Sequence, residues 1–142
     1  MSAAHTAEHL FAGSIRRLKP DLTILKVDQS EGRNSIYVDV KNLDWNTIME
    51  SELTANQIIS EGREVKQHIF NSLKAAKQQF PEARVMEKRI TGAVRIVEID
   101  GYDYAACSRK HSTNTQECDF FLVTRVVKAA GGHQIDFLVG EE

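Results

Sequence analysis

Residues 3–18 read AAHTAEHLFAGSIRRL, and this stretch carries both the first element and the first chemical motif of the chain. Its apolar stripe at helical spacing consists of Ala7, Leu10, Phe11, Ser14 and Leu18. Pro20 follows and ends the element. At about 100° per residue, His5 and His9 lie together on the side opposite that stripe. The pattern predicts a helix over residues 3–18 whose histidine pair does not face the core.

A second pair with the same i, i+4 spacing lies far downstream, in the segment CSRKH at residues 107–111. A lone pair of this kind is commonly a solvated helix face, and a lone cysteine is commonly a small core residue. Imidazole nitrogen and thiolate sulfur are, however, the ligands that zinc prefers, and three histidines with one cysteine fill a tetrahedron. The two pairs together predict one zinc ion bound by His5, His9, Cys107 and His111.

Composition limits the class of protein. The chain has 142 residues, 42% of them hydrophobic, and a net charge of −2, which predicts a single domain over residues 1–142. A protein that coats nucleic acid nonspecifically is usually strongly basic, so any RNA contact here must be local. The sequence contains no apolar run of bilayer length and no signal-peptide pattern, so we expect a cytoplasmic protein with reduced cysteines.

The rest of the chain is mostly β-structure. Residues 22–28 and 35–40 predict a hairpin, and Asp44 and Gly62 bracket a helix over residues 45–60. Further predicted elements are a strand at 64–70, a helix at 72–79, and strands at 94–100, 102–106, 120–127 and 135–139. We therefore predict an α+β fold: a largely antiparallel sheet packed against helices, with the zinc site between the N-terminal helix and the C-terminal sheet region.

The segment HTAEH at residues 5–9 also fits the H-x-x-E-H pattern of inverted zinc peptidases, in which the glutamate is a general base. Such peptidases are much larger, and their third ligand is a carboxylate rather than a cysteine. A zinc peptidase is accordingly disfavoured, and Glu8 is interpreted as a solvated charge.

Four segments in order resemble the editing domain of alanyl-tRNA synthetase. They are HTAEHL at residues 5–10, the Cys107 and His111 pair, NTQE at residues 114–117 and GGHQIDFLVG at residues 131–140. The length resembles that of the free-standing AlaX relatives, and the similarity covers essentially the whole chain. In that family the two pairs hold zinc, and the domain hydrolyses serine or glycine esters wrongly attached to the tRNA for alanine. The resemblance implies a trans-editing deacylase that acts on mischarged tRNA.

The resemblance also implies roles for individual residues. Thr6 matches a small hydroxyl residue after the first histidine, and Gln29 falls in a strand whose glutamine contributes to the editing pocket. Both are candidates to bind a serine hydroxyl, because a hydrogen bond separates a hydroxyl from hydrogen better than shape does. For the tRNA phosphates, Arg109 and Lys110 beside the zinc pair are candidates. The basic run Arg84, Lys88, Arg89 and Arg95 supplies further ones.

One departure from the family concerns the segment between Cys107 and His111, where its two glycines are replaced by SRK at residues 108–110. Four protein ligands describe a closed structural site, whereas catalytic zinc usually keeps one position open to place water and stabilise an oxyanion. His111 is therefore the ligand that we expect to decide between scaffold and catalyst. Two alternatives stay open: a hydrolase that removes serine from the tRNA for threonine, as in the threonyl-tRNA synthetase editing domain, and a non-catalytic zinc-stabilised RNA-binding module. A zinc peptidase is ranked third, after a tRNA-editing hydrolase and this RNA-binding module.

Overall fold

The computed structural model describes residues 2–29, 34–39, 43–85, 92–107, 111–129 and 131–140. In chain order, the elements of this part of the chain are α1 (Ser2–Leu18), β1 (Ile24–Asp28), β2 (Ser35–Val38), α2 (Trp45–Glu61), β3 (Val65–Phe70), α3 (Leu73–Gln79), β4 (Arg84–Val85), β5 (Val94–Ile99), β6 (Asp103–Ala106), a 3₁₀ turn (Thr115–Cys118), β7 (Phe121–Ala129) and β8 (Gly132–Val139). No described helix is long and apolar enough to cross a membrane.

The strands form two four-stranded sheets. The first has the order β1-β2-β8-β7 and is antiparallel throughout, with the predicted hairpin at its edge. The second has the order β3-β5-β6-β4, antiparallel except for the short parallel pair of β4 with β6. The predicted α+β class, with largely antiparallel strands packed against helices, is confirmed, although the strands form two sheets rather than the single sheet predicted. The two-residue strand β4 and the 3₁₀ turn are additions that the sequence pattern did not predict.

The helices begin and end where their capping residues predict. Asp44 accepts a hydrogen bond from the Thr47 backbone N–H at 2.8 Å at the start of α2. Gly62 ends α2 in the left-handed region at φ 75°, where a side chain would be strained. Ser72 caps α3 in the same way as Asp44 caps α2. The hairpin turn predicted between β1 and β2 lies outside the described residues, except for Asn34.

The two long helices bury different faces from those that an apolar stripe would give. Met49 and Leu53 are 61% and 59% exposed, because α2 packs through Ser51, Ala55 and Ile58. The expectation that the histidine side of α1 does not face the core is wrong. Helix α1 is covered on both sides rather than on one. It contacts β8 of the first sheet and β6 of the second, and its histidine side is as buried as its apolar side.

The main core lies between α1, α2 and the first sheet. Phe11 stacks on Phe121 at 4.8 Å between ring centroids, and Phe121 stacks on Phe137 at the same distance. A smaller cluster around Ala76 and Ile96 packs α3 onto the second sheet. Val65, Val97 and Ile99 of the second sheet also join the main core. Helix α1 thus has this apolar core on one side, and its histidines lie on the side that contacts β6.

Candidate metal centre

The four residues predicted to bind zinc come together in the structure. His5 and His9 lie one turn apart on α1, and Cys107 follows the end of β6 directly. One ligand atom from each of these residues and from His111 lies within 4.8 Å of the others. The predicted location, between the N-terminal helix and the C-terminal sheet region, is confirmed. Cys107 and His111 are not in helical conformation, so their proximity does not come from a helical i, i+4 spacing.

The ring of His5 is held in one orientation by a glutamine. Its Nδ1 lies 2.8 Å from Gln29 Oε1, while Gln29 Nε2 donates to the Ala4 carbonyl at 3.1 Å. The glutamine oxygen can only accept, so Nδ1 carries the proton and Nε2 keeps its lone pair. That Nε2 lies 2.8 Å from Cys107 Sγ, inside the cluster. Gln29 therefore orients a metal ligand in the way that outer partners of zinc-binding histidines do.

Thr6 supports His111 in a similar way. The fully buried Thr6 Oγ1 accepts the Ser112 backbone N–H at 2.9 Å and lies 3.2 Å from His111 Nδ1. On the other side of the ring, His111 Nε2 is buried and has no hydrogen-bond partner in the structure. Leaving such a group unsatisfied costs about 1–3 kcal/mol, which binding of a cation by its lone pair would remove.

His9 lies between two acids. Its ring nitrogens are 3.8 Å from Glu8 Oε1 and 3.8 Å from Asp103 Oδ2, both beyond hydrogen-bond distance. Burial, and then the charges of His111, Arg84 and His5, hold the pKa of His9 well below its usual value. Burial and the charge of His5 likewise lower the pKa of His111 to about 3. Both rings are therefore neutral near pH 7, the form in which imidazole binds a metal.

The donor set fits a zinc ion. Zn–N and Zn–S bonds of about 2.0–2.3 Å place the ligand atoms of a tetrahedral site roughly 3.5 Å apart. The largest separation here is 4.8 Å, so small side-chain adjustments would complete the shell. The three imidazole rings already surround a common point, with centroids 4.4–4.9 Å apart. Three neutral imidazoles and one thiol suit zinc better than they suit Mg²⁺ or Ca²⁺, which prefer oxygen.

Beside the cluster lies a buried ion-pair network. Arg84 Nη2 donates to Asp103 Oδ2 at 2.7 Å, with both side chains less than a tenth exposed. Burial alone would lower the pKa of Arg84, but the charges of Asp103 and Glu8 outweigh it and raise the pKa. Asp103 lies so close to α1 that a Cβ on Gly13 would come within 2.7 Å of its Oδ1. The absence of a side chain at Gly13 thus makes room for this carboxylate.

Two expectations are corrected by this network. Glu8, interpreted as a solvated charge, is only 1% exposed, because α1 is covered on both sides. Arg84, assigned to a basic run for RNA phosphates, is paired with Asp103 inside the protein. The roles of Glu8 and Asp103 were missed from the sequence. The signal that could have found them is the run of small residues Ala3, Ala4, Ala7, Ala12 and Gly13, which lets other elements approach α1 from several sides.

A cavity of about 260 Å³ opens beside the cluster. Its walls include His5, His9 and Cys107, with Leu25 of β1 opposite and Glu8 as the one acid among the described lining residues. Thr6 is absent from these walls, and its hydroxyl is already engaged by His111 and Ser112. In the structure Thr6 contacts His111 and Gln29 contacts His5. The expected binding of a serine hydroxyl by Thr6 or Gln29 stays a prediction. Arg89, Arg109 and Lys110 lie outside the described residues.

Comparison with known proteins adds a second line of evidence. The chain is similar to alanine–tRNA ligases. It is 29% identical over 132 residues to the alanine–tRNA ligase of Methanococcus vannielii, and 29% identical over 132 residues to that of Methanococcus maripaludis. In each case the match covers 90% of this chain and 15% of the ligase, so the chain spans a small part of the length of these relatives. No family model matches the chain. The resemblance to alanyl-tRNA synthetase is thereby confirmed.

Proposed function

We propose that this protein is a zinc-dependent hydrolase that deacylates mischarged tRNA. The observation that carries the proposal is the convergence of His5, His9, Cys107 and His111 beside a cavity that the first three of them line, in a chain similar over most of its length to alanine–tRNA ligases. The predicted resemblance to the editing domain supplies the reaction, hydrolysis of an ester between an amino acid and the terminal ribose. In this proposal the whole chain, residues 1–142, is one editing domain.

Ester hydrolysis needs a polarised carbonyl, a placed water and a proton donor for the leaving hydroxyl. Zinc, when bound, would supply Lewis-acid polarisation of the ester carbonyl. The protein supplies the orientation: Gln29 fixes His5, and Thr6 fixes His111. The contact to His111 is 3.2 Å against 2.8 Å for the contact to His5, so we expect His111 to be the less firmly held ligand.

Glu8 would bind the amino group of the substrate. An aminoacyl ester carries a free α-ammonium group, and a carboxylate in a water-poor cavity attracts such a cation more strongly than in water. Glu8 lies 3.9 Å from His5 Nδ1 and 3.8 Å from His9 Nε2, on the wall that holds the cluster. This role predicts that N-acetylation of the aminoacyl group, which removes the charge, lowers kcat/KM about tenfold or more in the native enzyme but little in Glu8→Gln.

The substrates that the resemblance favours are the serine and glycine esters of the tRNA for alanine. The serine ester of the tRNA for threonine is the alternative, because the related editing domain of threonyl-tRNA synthetase acts on it. The decisive experiment incubates the purified 142-residue chain with each of the three charged tRNAs and measures the released amino acid, which also tests action in trans. We expect release from at least one ester and about one zinc per chain by elemental analysis.

Two ligand variants separate catalyst from scaffold. Cys107→Ser replaces a thiolate by a poor ligand and should lose both zinc and hydrolysis. His111→Asn should keep most of the zinc while hydrolysis falls at least a hundredfold. Zinc-loaded native protein that leaves all three esters intact would contradict the proposed hydrolase and favour the zinc-stabilised RNA-binding module. Release of peptides from an unstructured protein would instead favour a peptidase.

A further inference from the structure

The cavity at the metal cluster adjoins a larger groove. It shares Leu25 and Arg84 with a cavity of about 750 Å³, which in turn shares Arg16, Glu82 and Arg84 with one of about 510 Å³. We call the two larger cavities the groove; its charged lining residues are Arg16, Arg17, Lys77, Glu82, Arg84 and Asp103. The groove therefore leads from the cluster along α1 toward the end of that helix.

Cations exceed anions along this groove by four to two, and most of them are already engaged. Arg84 pairs with Asp103, and Lys77 Nζ donates to the carbonyls of Pro81 and Ala83 at 2.9 Å each. Arg17 donates to the Tyr102 carbonyl, and its guanidinium lies 4.1 Å from the centre of the Tyr102 ring. These contacts are internal to the protein and fix the walls of the groove.

Arg16 is different. Its Nε is buried and has no hydrogen-bond partner, and no ion pair joins it to any residue in the described part of the chain. It lies where the two cavities of the groove meet, since it lines both. A buried guanidinium nitrogen without an acceptor costs free energy, which an anionic ligand in the groove would recover. The unpartnered atom thus points to a ligand with acceptor oxygens.

We propose that the groove binds the single-stranded 3′ end of an RNA, with Arg16 contacting a backbone phosphate. The choice of RNA rests on the proposed function; the anion site itself rests on Arg16. Arg16 is seven residues after His9 on α1, which places it about 10 Å further along the helix at about 1.5 Å per residue. That distance is roughly three stacked nucleotides at about 3.4 Å each. A strand whose last ribose reaches the cluster would therefore pass its next phosphates beside Arg16.

The aromatic residues of the groove do not supply the binding. Tyr102 is held by Arg17 and by Ser14 Oγ at 2.5 Å, and the Tyr104 ring stacks on Phe80 at 5.4 Å. Both rings are thus engaged within the protein, and a phosphate contact by Arg16 is better supported than stacking of a base on either tyrosine. Arg16 also lies in the last turn of α1, where a positive charge stabilises a helix by roughly 0.3–1 kcal/mol. A test must separate these two roles.

The test measures binding of uncharged RNA by fluorescence anisotropy, so it does not require hydrolysis. The probes are a stem-loop RNA with a single-stranded 3′-terminal ACCA and the same stem-loop with a blunt end. Arg16→Gln should bind the overhanging RNA about tenfold more weakly than the native chain and reduce the salt dependence by about one counterion. The matched control is Arg125→Gln, which removes the same charge from a side chain that is 63% exposed on β7, and it should change neither quantity.

Rescue and a second comparison complete the design. Arg16→Lys keeps the charge at the helix end but loses the guanidinium, so it should restore thermal stability and only part of the affinity. Equal losses from Arg16→Gln and Arg125→Gln would overturn the phosphate site. If Arg16→Gln does not fold, the native chain alone decides: equal affinity for blunt and overhanging RNA overturns the proposal. Native protein that binds the overhang through Arg16 yet releases no amino acid would leave the groove standing and reject the hydrolase.

Discussion

The two sides of α1 are equally buried and chemically opposite. Toward the first sheet, Leu10 and Phe11 are fully buried and Phe11 stacks on Phe121. Toward the second sheet the same helix buries His5, Glu8 and His9 at 1–6% exposure. Burial of apolar groups stabilises a fold by roughly 25 cal/mol per Å². Burial of an unpaired charge or ring nitrogen opposes folding.

This difference indicates which side was shaped for function. Gln29 orients the buried ring of His5, and Thr6 orients that of His111. Buried polar groups of this kind cost stability unless a ligand supplies their missing bonding partners. The first side accounts for the fold without any ligand. The second side is incomplete without one, since His9 Nδ1 and His111 Nε2 have no hydrogen-bond partner among the described residues. The predictions below test this asymmetry.

The largest expected effect on stability lies on the apolar side. Phe11→Ala removes a fully buried ring from the Phe121–Phe137 stack and should lower the free energy of unfolding by about 3–5 kcal/mol. Urea unfolding measures the change. Leu18→Ala, on the same helix but 41% exposed, is the control and should stay within about 0.5 kcal/mol. A small effect of Phe11→Ala would show that the stack is not the main support of α1.

On the polar side, breaking one ion pair should cost less and be reversible by a second substitution. Asp103→Asn leaves the Arg84 guanidinium buried without its charge partner and should lower the free energy of unfolding by about 3 kcal/mol. Replacing both, as Asp103→Asn with Arg84→Met, removes the stranded charge and should recover most of that loss. Urea unfolding of the single and the double variant measures whether the free energy of unfolding recovers. Equal losses in the single and double variants would show that the pair is not the cause.

Much of this architecture could be predicted from the sequence, and the failures have a common cause. The residue types of His5, His9, Cys107 and His111 predicted the cluster because ligand chemistry is a local property, whereas helical spacing accounts only for the proximity of His5 and His9. The burial of Glu8 was missed because a stripe argument assumes that a helix buries one face. The contact of Thr6 with His111 joins residues 105 positions apart, and no local pattern carries such a contact. Strand β4 has two residues, too few for any periodicity.

Acidification should destabilise the protein through the polar side of α1 and leave the apolar side unaffected. The folded-state pKa values of His9 and His111 are lowered by burial and neighbouring charges, so the unfolded chain binds more protons than the folded chain at acidic pH. The stability that His111 contributes is therefore fully present above its unfolded-state pKa of 6.5 and falls as pH decreases toward about 3, by about 1.4 kcal/mol per pH unit. The lowered pKa of His9 acts in the same direction. Urea unfolding in chelator between pH 7 and pH 5 measures this slope.

The same titration in two variants assigns the slope to one side of α1. His111→Asn removes one of the two groups and should flatten the dependence, whereas Phe11→Leu should lower the curve at every pH without changing its slope. Zinc-loaded protein should show a steeper slope of the same sign, because protons compete with the metal for the imidazoles and the thiolate. A slope that is identical in the native chain and in His111→Asn would mean that the ring of His111 takes up its proton while the protein is still folded. The polar side of α1 would then be open to water, in contrast to the apolar side.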